Sequence, residues 1–179
     1  DTYYPVDSLA QVLDPPSGFV YNCNHTPFLS SSANDNPEVS SVPASMGYEP
    51  PQFETNRAVR MLHLFEEDRS IDYEEFKVIK FDRQYHKPMR SAPKLEPIFS
   101  LDESKFPQIA GSIQLLKNWD RVASEESEAA SIFILALYDI LRKIKTRKSL
   151  VSGDELTEAS LAASVQSAQD HLQETFGKV

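Results

Sequence analysis

The chain has 179 residues, 40% of them hydrophobic, with a formal net charge of −9 and a pI of about 4.9. That length fits one ordinary domain or a piece of a larger protein, and the acidic balance argues against DNA or RNA as the main partner, since phosphate binding wants a basic stripe. No window approaches the roughly 20 apolar residues of a membrane span, and the single cysteine, Cys23, cannot form an internal disulfide.

Composition divides the chain in two. Residues 1–53 are rich in Pro, Ser, Asn and Tyr and read as a strand-and-loop segment; residues 54–179 read as a helical subdomain. The expected fold class is mainly α with a short β segment. The first residues, DTYYPVDSLAQVLDPP, contain neither a starter methionine nor a signal-peptide pattern. The chain is therefore expected to be cut from something longer.

In chain order, Pro15 to Gly18 signals a turn, and a strand is predicted over Gly18 to Asn24. Alternation puts Phe19, Tyr21 and Cys23 on one face and Val20, Asn22 and Asn24 on the other. A long polar loop follows. Val59, Leu62 and Phe65, with Met61 beside them, recur at helical spacing. In SIDYEEFKVIKF, Asp72 and Glu75 form a capping box, and Ile71 and Phe76 are placed as a hydrophobic staple. Phe76 and Ile79 are assigned to the core. Residues 86–105 hold three prolines and are expected to cross the surface. A helix from about Pro107 presents Ile109, Ile113 and Leu116 and ends at Trp119. The next helix opens acidic and closes basic, as the helix dipole prefers; apolar nearly all round at its centre, it is predicted to be the most buried element. In the last helix Leu161, Val165, Ala168, Leu172 and Phe176 form a stripe, with Gly177 as its stop.

No catalytic set emerges from these residues alone. His25, His63, His86 and His171 have no zinc spacing, and there is no phosphate-binding glycine loop. His25 reads as support for its loop, and Cys23 as a small buried hydrophobe. Asn22 and Asn24 are the unusual pair, two neutral amides in a short apolar run. An asparagine amide aimed at a developing oxyanion stabilises acyl transfer by roughly 2.7–4 kcal/mol. The plainer alternative, favoured by composition, is that both amides hydrogen-bond backbone.

Three blocks in order carry a family resemblance. DPPSGFVYNCNHTPF resembles the Asn-x-Asn-x-x-Pro segment of penicillin-acylase-type N-terminal-nucleophile hydrolases. NRAVRMLHLFEEDRSIDYEEFKVIKFDRQY is similar to that family's helix pair, in which an Arg-rich helix precedes an acidic capped helix ending in an Asp. SIQLLKNWDRVASEESEAASIFILALYD resembles its LL-x-x-WD segment and following helix. Together they reach from Asp14 to Asp139. The resemblance implies an internal fragment of the large subunit of an αββα-sandwich hydrolase, matured by self-cleavage. The attacking group is then an N-terminal serine absent from this chain, which alone is expected to be inactive. It further implies that Asn24 is the oxyanion donor, that Arg57 (or Arg60) organises the site, and that Asp35 lies near a structural calcium. No other cofactor is implied. The implied substrates are N-acylated amides such as penicillins, acyl-homoserine lactones or lipopeptides. The implied partners are the small subunit and the rest of the precursor, with no nucleic acid and no membrane span; the implied location is periplasmic or secreted. A non-catalytic relative, or a helical interaction domain that keeps only the scaffold, stands as the alternative.

Overall fold

The computed structural model describes residues 3–48, 54–68, 70–152 and 154–178. It divides into two compact units, Asp1–Asp82 and Arg83–Val179. The first unit thus takes in the helices up to Asp82 together with the loop segment before them. The reason is packing: helix α1 (Asn56–Glu67) buries Ala58 and Phe65 against the segment that precedes it.

In the first unit the expected strand over Gly18–Asn24 does not form. The segment's ends, Gly18 and Asn24, sit at φ +82° and +56°, and Tyr21 N–H to Ser30 O, at 2.9 Å, is its one cross-link of ladder type among the described residues. A ladder needs a second extended run, and the chain coils instead into a 3₁₀ turn at Pro27–Leu29, whose proline has no N–H to offer. The period of two survives without the sheet, because alternation belongs to extended backbone itself. Tyr21 is buried with Phe19 and Cys23 beside it against Ala58 and Phe65, while Val20, Asn22 and Asn24 are exposed. Phe19 meets Phe65 at a ring separation of 5.1 Å, and Tyr21 meets it edge-on at 6.1 Å.

Helix α2 (Tyr73–Lys80) starts at the predicted capping box. Asp72 Oδ1 accepts the Glu75 N–H at 2.9 Å, and Glu75 Oε2 accepts the Asp72 N–H at 2.8 Å. Ile71 and Ile79 pack against the Tyr21 cluster, but Phe76 does not enter the core: it is 47% exposed. It lines an open cleft with Phe19, Phe65 and Tyr73. Arg60 on α1 reaches Asp82 just beyond α2, Nη2 to Oδ2 at 2.8 Å, which ties the helix pair at its end.

The second unit has an aliphatic and aromatic core beneath α3 (Ala110–Asn118), α4 (Glu128–Lys143) and α6 (Glu158–Phe176), with the four-residue α5 (Ser149–Ser152) between the last two. Ile109, Ile113 and Leu116 are fully buried and Trp119 caps α3, as the spacing predicts. Residues 86–105 do more than cross the surface: Lys87, Pro88, Arg90 and Lys105 are exposed, but the segment also feeds the core. Pro93–Ser100 forms a 3₁₀ helix, and Met89, Ala92, Leu95, Ile98 and Leu101 are all buried. Apolar residues at every third position line one face of a helix with three residues per turn; prolines, read as a surface signal, here only exclude α geometry. Helix α4 packs along α6 and buries Ala129, Ala130, Ile132, Phe133, Ala136 and Ile140, which makes it the most buried of the described elements by number of residues, while Ile134, Tyr138 and Leu141 on its far side stay exposed. On α6, Leu161, Val165 and Ala168 are buried, Leu172 is half-buried, and Phe176 lies exposed in the last turn before Gly177, whose φ of +72° makes the left-handed stop.

Arg121 lies inside this second core. Its guanidinium stacks 3.2 Å from the centre of the Phe99 ring and donates from Nη2 to Glu96 Oε1 at 2.9 Å, while Glu96 Oε2 accepts the Met89 N–H. A single antiparallel bridge between Gln84 and Val122 brings Tyr85 onto the Trp119–Phe133 cluster.

Candidate active site

The first unit gathers the residues that carry the asparagine chemistry. Asn24 sits at φ +56°, in the left-handed region that asparagine tolerates better than most residues. Asn22 makes that conformation possible. Its Oδ1 accepts the Asn24 N–H at 2.8 Å, an Asx turn spanning two residues. The two amides therefore have different jobs. Asn22 hydrogen-bonds backbone, as composition favoured; Asn24 leaves the extended course and makes a side-chain contact instead.

That contact is Arg57, the second residue of α1, whose Nη2 lies 3.0 Å from Asn24 Oδ1. A guanidinium only donates, so the atom facing it must be the carbonyl oxygen. The Asn24 amide orientation follows from chemistry: Oδ1 faces Arg57, and Nδ2 is the atom this contact does not use. Both side chains are exposed on this chain.

The helix start positions Arg57. Thr55 caps α1, accepting the Ala58 N–H on Oγ1 at 3.1 Å, and the same hydroxyl donates to Cys23 O at 3.4 Å. One side chain thus joins the helix terminus to the residue before Asn24. A Thr directly ahead of the first helical position is a cap signal, and it was legible in the sequence though unused. Arg60, the other candidate arginine, is committed to Asp82 through Nη2 and Nε.

Cys23 packs inward and its thiol is not set up for attack. Burial pushes its pKa up, and the Arg57 charge, which acts the other way, does not offset this. Asp35 lies elsewhere in the loop. Its Oδ2 accepts the Ser17 N–H at 2.9 Å, and its neighbour Asn36 bonds the N–H and carbonyl of Ser31 and the carbonyl of Ser32. No cluster of three or more His, Cys, Asp or Glu able to hold a metal ion occurs among the described residues. Calcium takes six to eight oxygens, so Asp35 by itself does not make such a site. His63 makes a surface contact with Glu67 on α1.

The family model for penicillin amidase matches residues 1–178. The chain belongs to the penicillin amidase family. At family level this makes it an acylase-type protein related to hydrolases of amide bonds. The mainly helical chain is compatible with a helical portion of such a protein, and no helix among the described residues is long and apolar enough to cross a membrane.

Proposed function

We propose that this chain is part of an amidohydrolase that cleaves N-acylated small molecules, penicillins, acyl-homoserine lactones or lipopeptides among them, and that it contributes Asn24 as oxyanion donor. The observation that carries the reading is the Arg57 contact on Asn24 Oδ1, which sets the amide so that Nδ2 is not the atom the guanidinium holds. An oxyanion hole needs a donor whose orientation is set before charge develops, because reorientation during the reaction costs barrier height.

In this reading the catalytic serine is the N-terminal residue of the large subunit, supplied by sequence outside this chain and exposed by self-cleavage of a precursor. Its Oγ attacks the substrate carbonyl carbon while its own α-amino group takes the hydroxyl proton. The carbonyl oxygen becomes negative and accepts from Asn24 Nδ2. Collapse expels the amine, which receives the proton from the α-ammonium, and water hydrolyses the resulting ester by the same steps. Arg57 touches no reacting atom; it is the positioning residue for the amide. The rest of the precursor supplies the sandwich of sheets and the acyl pocket, and the mature enzyme works in the periplasm or outside the cell. No step runs through calcium; with Asp35 as a ligand, the other oxygens would come from other residues.

The test is the N-terminal sequence or intact mass of the mature large subunit made from the full gene, with turnover of a chromogenic acyl amide measured on the same sample. A chain starting at serine and turning over supports the reading. An uncleaved precursor, or a mature chain whose first residue cannot attack, would leave a scaffold whose asparagines have no reaction.

A further inference from the structure

Asn24 aims its amide from the left-handed region, which residues other than glycine and asparagine rarely adopt, so the peptide planes leading into it need to be held. Asn22 and Thr55 hold one of them, on the Asn24 N–H and the Cys23 carbonyl. We propose that His25 holds the other and is a second positioning residue for Asn24. The inference rests on the reading of Asn24 as the oxyanion donor.

The geometry is specific to one form of the ring. His25 Nδ1 lies 3.0 Å from the Cys23 backbone nitrogen. That N–H can only donate, so Nδ1 carries the lone pair. Nε2, 2.9 Å from Leu29 O, must then carry the proton and donate to that carbonyl. The neutral Nε2–H tautomer alone makes both bonds. The ring also lies against Tyr21, with centroids 4.8 Å apart and planes tilted by 31°. Tyr21 is itself buried in the Phe65 cluster, and its N–H is bonded to Ser30. The imidazole therefore bridges from the residue before Asn24 to the 3₁₀ turn after it, braced on the unit's core. Without it the Cys23 N–H loses its acceptor, and the turn relaxes at the residue whose amide must be aimed. A misplaced donor weakens the transition state far more than substrate binding, and an error near 1 Å costs up to about a hundredfold in rate.

The test uses the full-length, self-processed enzyme, with kcat normalised to titrated active sites. His25→Leu keeps bulk and removes both hydrogen bonds. His25→Asn keeps an acceptor where Nδ1 stands. Expected are a kcat lowered roughly tenfold to a hundredfold in His25→Leu with KM within about threefold, and a kcat within about threefold of the parent in His25→Asn. In an Asn24→Ala background His25→Leu should add nothing, because its effect runs through the amide. Should the leucine variant fail to mature, His25→Gln, which reaches Leu29 but not the Cys23 N–H, is expected to show the kcat loss. The proposal is overturned by a His25→Leu or His25→Gln enzyme as fast as the parent, or by an equal loss in the presence and absence of the Asn24 amide. If Asn24→Ala itself costs nothing, the oxyanion reading fails first and this inference goes with it.

Discussion

Replacing Asn24 by Asp separates the architecture of the site from its chemistry. The two side chains are nearly isosteric, and aspartate also tolerates the left-handed region. A carboxylate in place of Oδ1 keeps the 3.0 Å partner on Arg57 Nη2 and turns a neutral acceptor into a charged one. On an exposed pair this is worth about 0–1 kcal/mol after solvent screening, so stability should be unchanged or slightly raised. Activity should go the other way. Losing one oxyanion donor costs about 2.7–4 kcal/mol, or roughly a hundredfold to a thousandfold in kcat. In Asn24→Asp the lost N–H is also replaced by an oxygen that repels the developing charge, so this variant should fall below Asn24→Ala. The assay is turnover of a chromogenic acyl amide per titrated active site, with thermal unfolding of the same preparations. An aspartate enzyme within tenfold of the parent would refute the donor role. Equal losses of activity and of folded protein would show that the residue serves the turn and not the reaction.

Three further outcomes follow from the packing. Arg60→Ala and Asp82→Ala should each destabilise by about 1–2 kcal/mol by denaturant titration, since both side chains are only 19% exposed, while turnover per folded molecule stays unchanged; a selective loss of kcat would place Arg60 in the site. Phe133→Ala, which removes a fully buried ring seated among Tyr85, Phe99 and Trp119, should cost about 3–5 kcal/mol, whereas Ile134→Ala on the exposed side of α4 should cost less than about 1 kcal/mol; equal costs would reverse the assignment of the two sides. At Asp139 burial pushes the carboxyl up, but the Lys143 hydrogen bond and the charges of Lys143 and Arg142 together hold it below its ordinary 3.8. Its contribution to stability is therefore present above that value and lost as pH falls through the lower folded value. Asp139→Asn should narrow the difference in urea midpoint between neutral pH and about pH 3, and an unchanged difference would show that the carboxylate is not stabilised by the fold.

Local chemistry was readable where the partners lie within a turn of one another. The Asp72–Glu75 capping box, the Ile109, Ile113 and Leu116 face ending at Trp119, and the Gly177 stop all form as their spacing predicts. The burial pattern of residues 19–24 was readable too, since alternation needs only extended backbone. The strand itself was not, because pairing depends on a second segment, and Pro27–Leu29 coils instead. The core role of residues 89–101 is not legible from proline content, which signals loop and surface alike. Leu95 and Ile98 share one face only because Pro93–Ser100 is a helix of three residues per turn, and Met89, Ala92 and Leu101 are buried beside it by packing.

The sequence by itself determined the family, the mainly helical character, the start of α2, the ends of α3 and α6, and the candidate residues Asn24 and Arg57. These rest on residue type and short spacing, which act through a few bonds. Tertiary structure decided which amide faces which way and which arginine is free to hold it. Asn22 and Asn24 are equal in the sequence; they differ only because one closes an Asx turn while the other, at φ +56°, meets a helix that starts more than thirty residues later. Arg57 and Arg60 stand on one helix, and Asp82, brought back by α2, takes the second. Distances across that many residues are set by packing, and no local pattern encodes them.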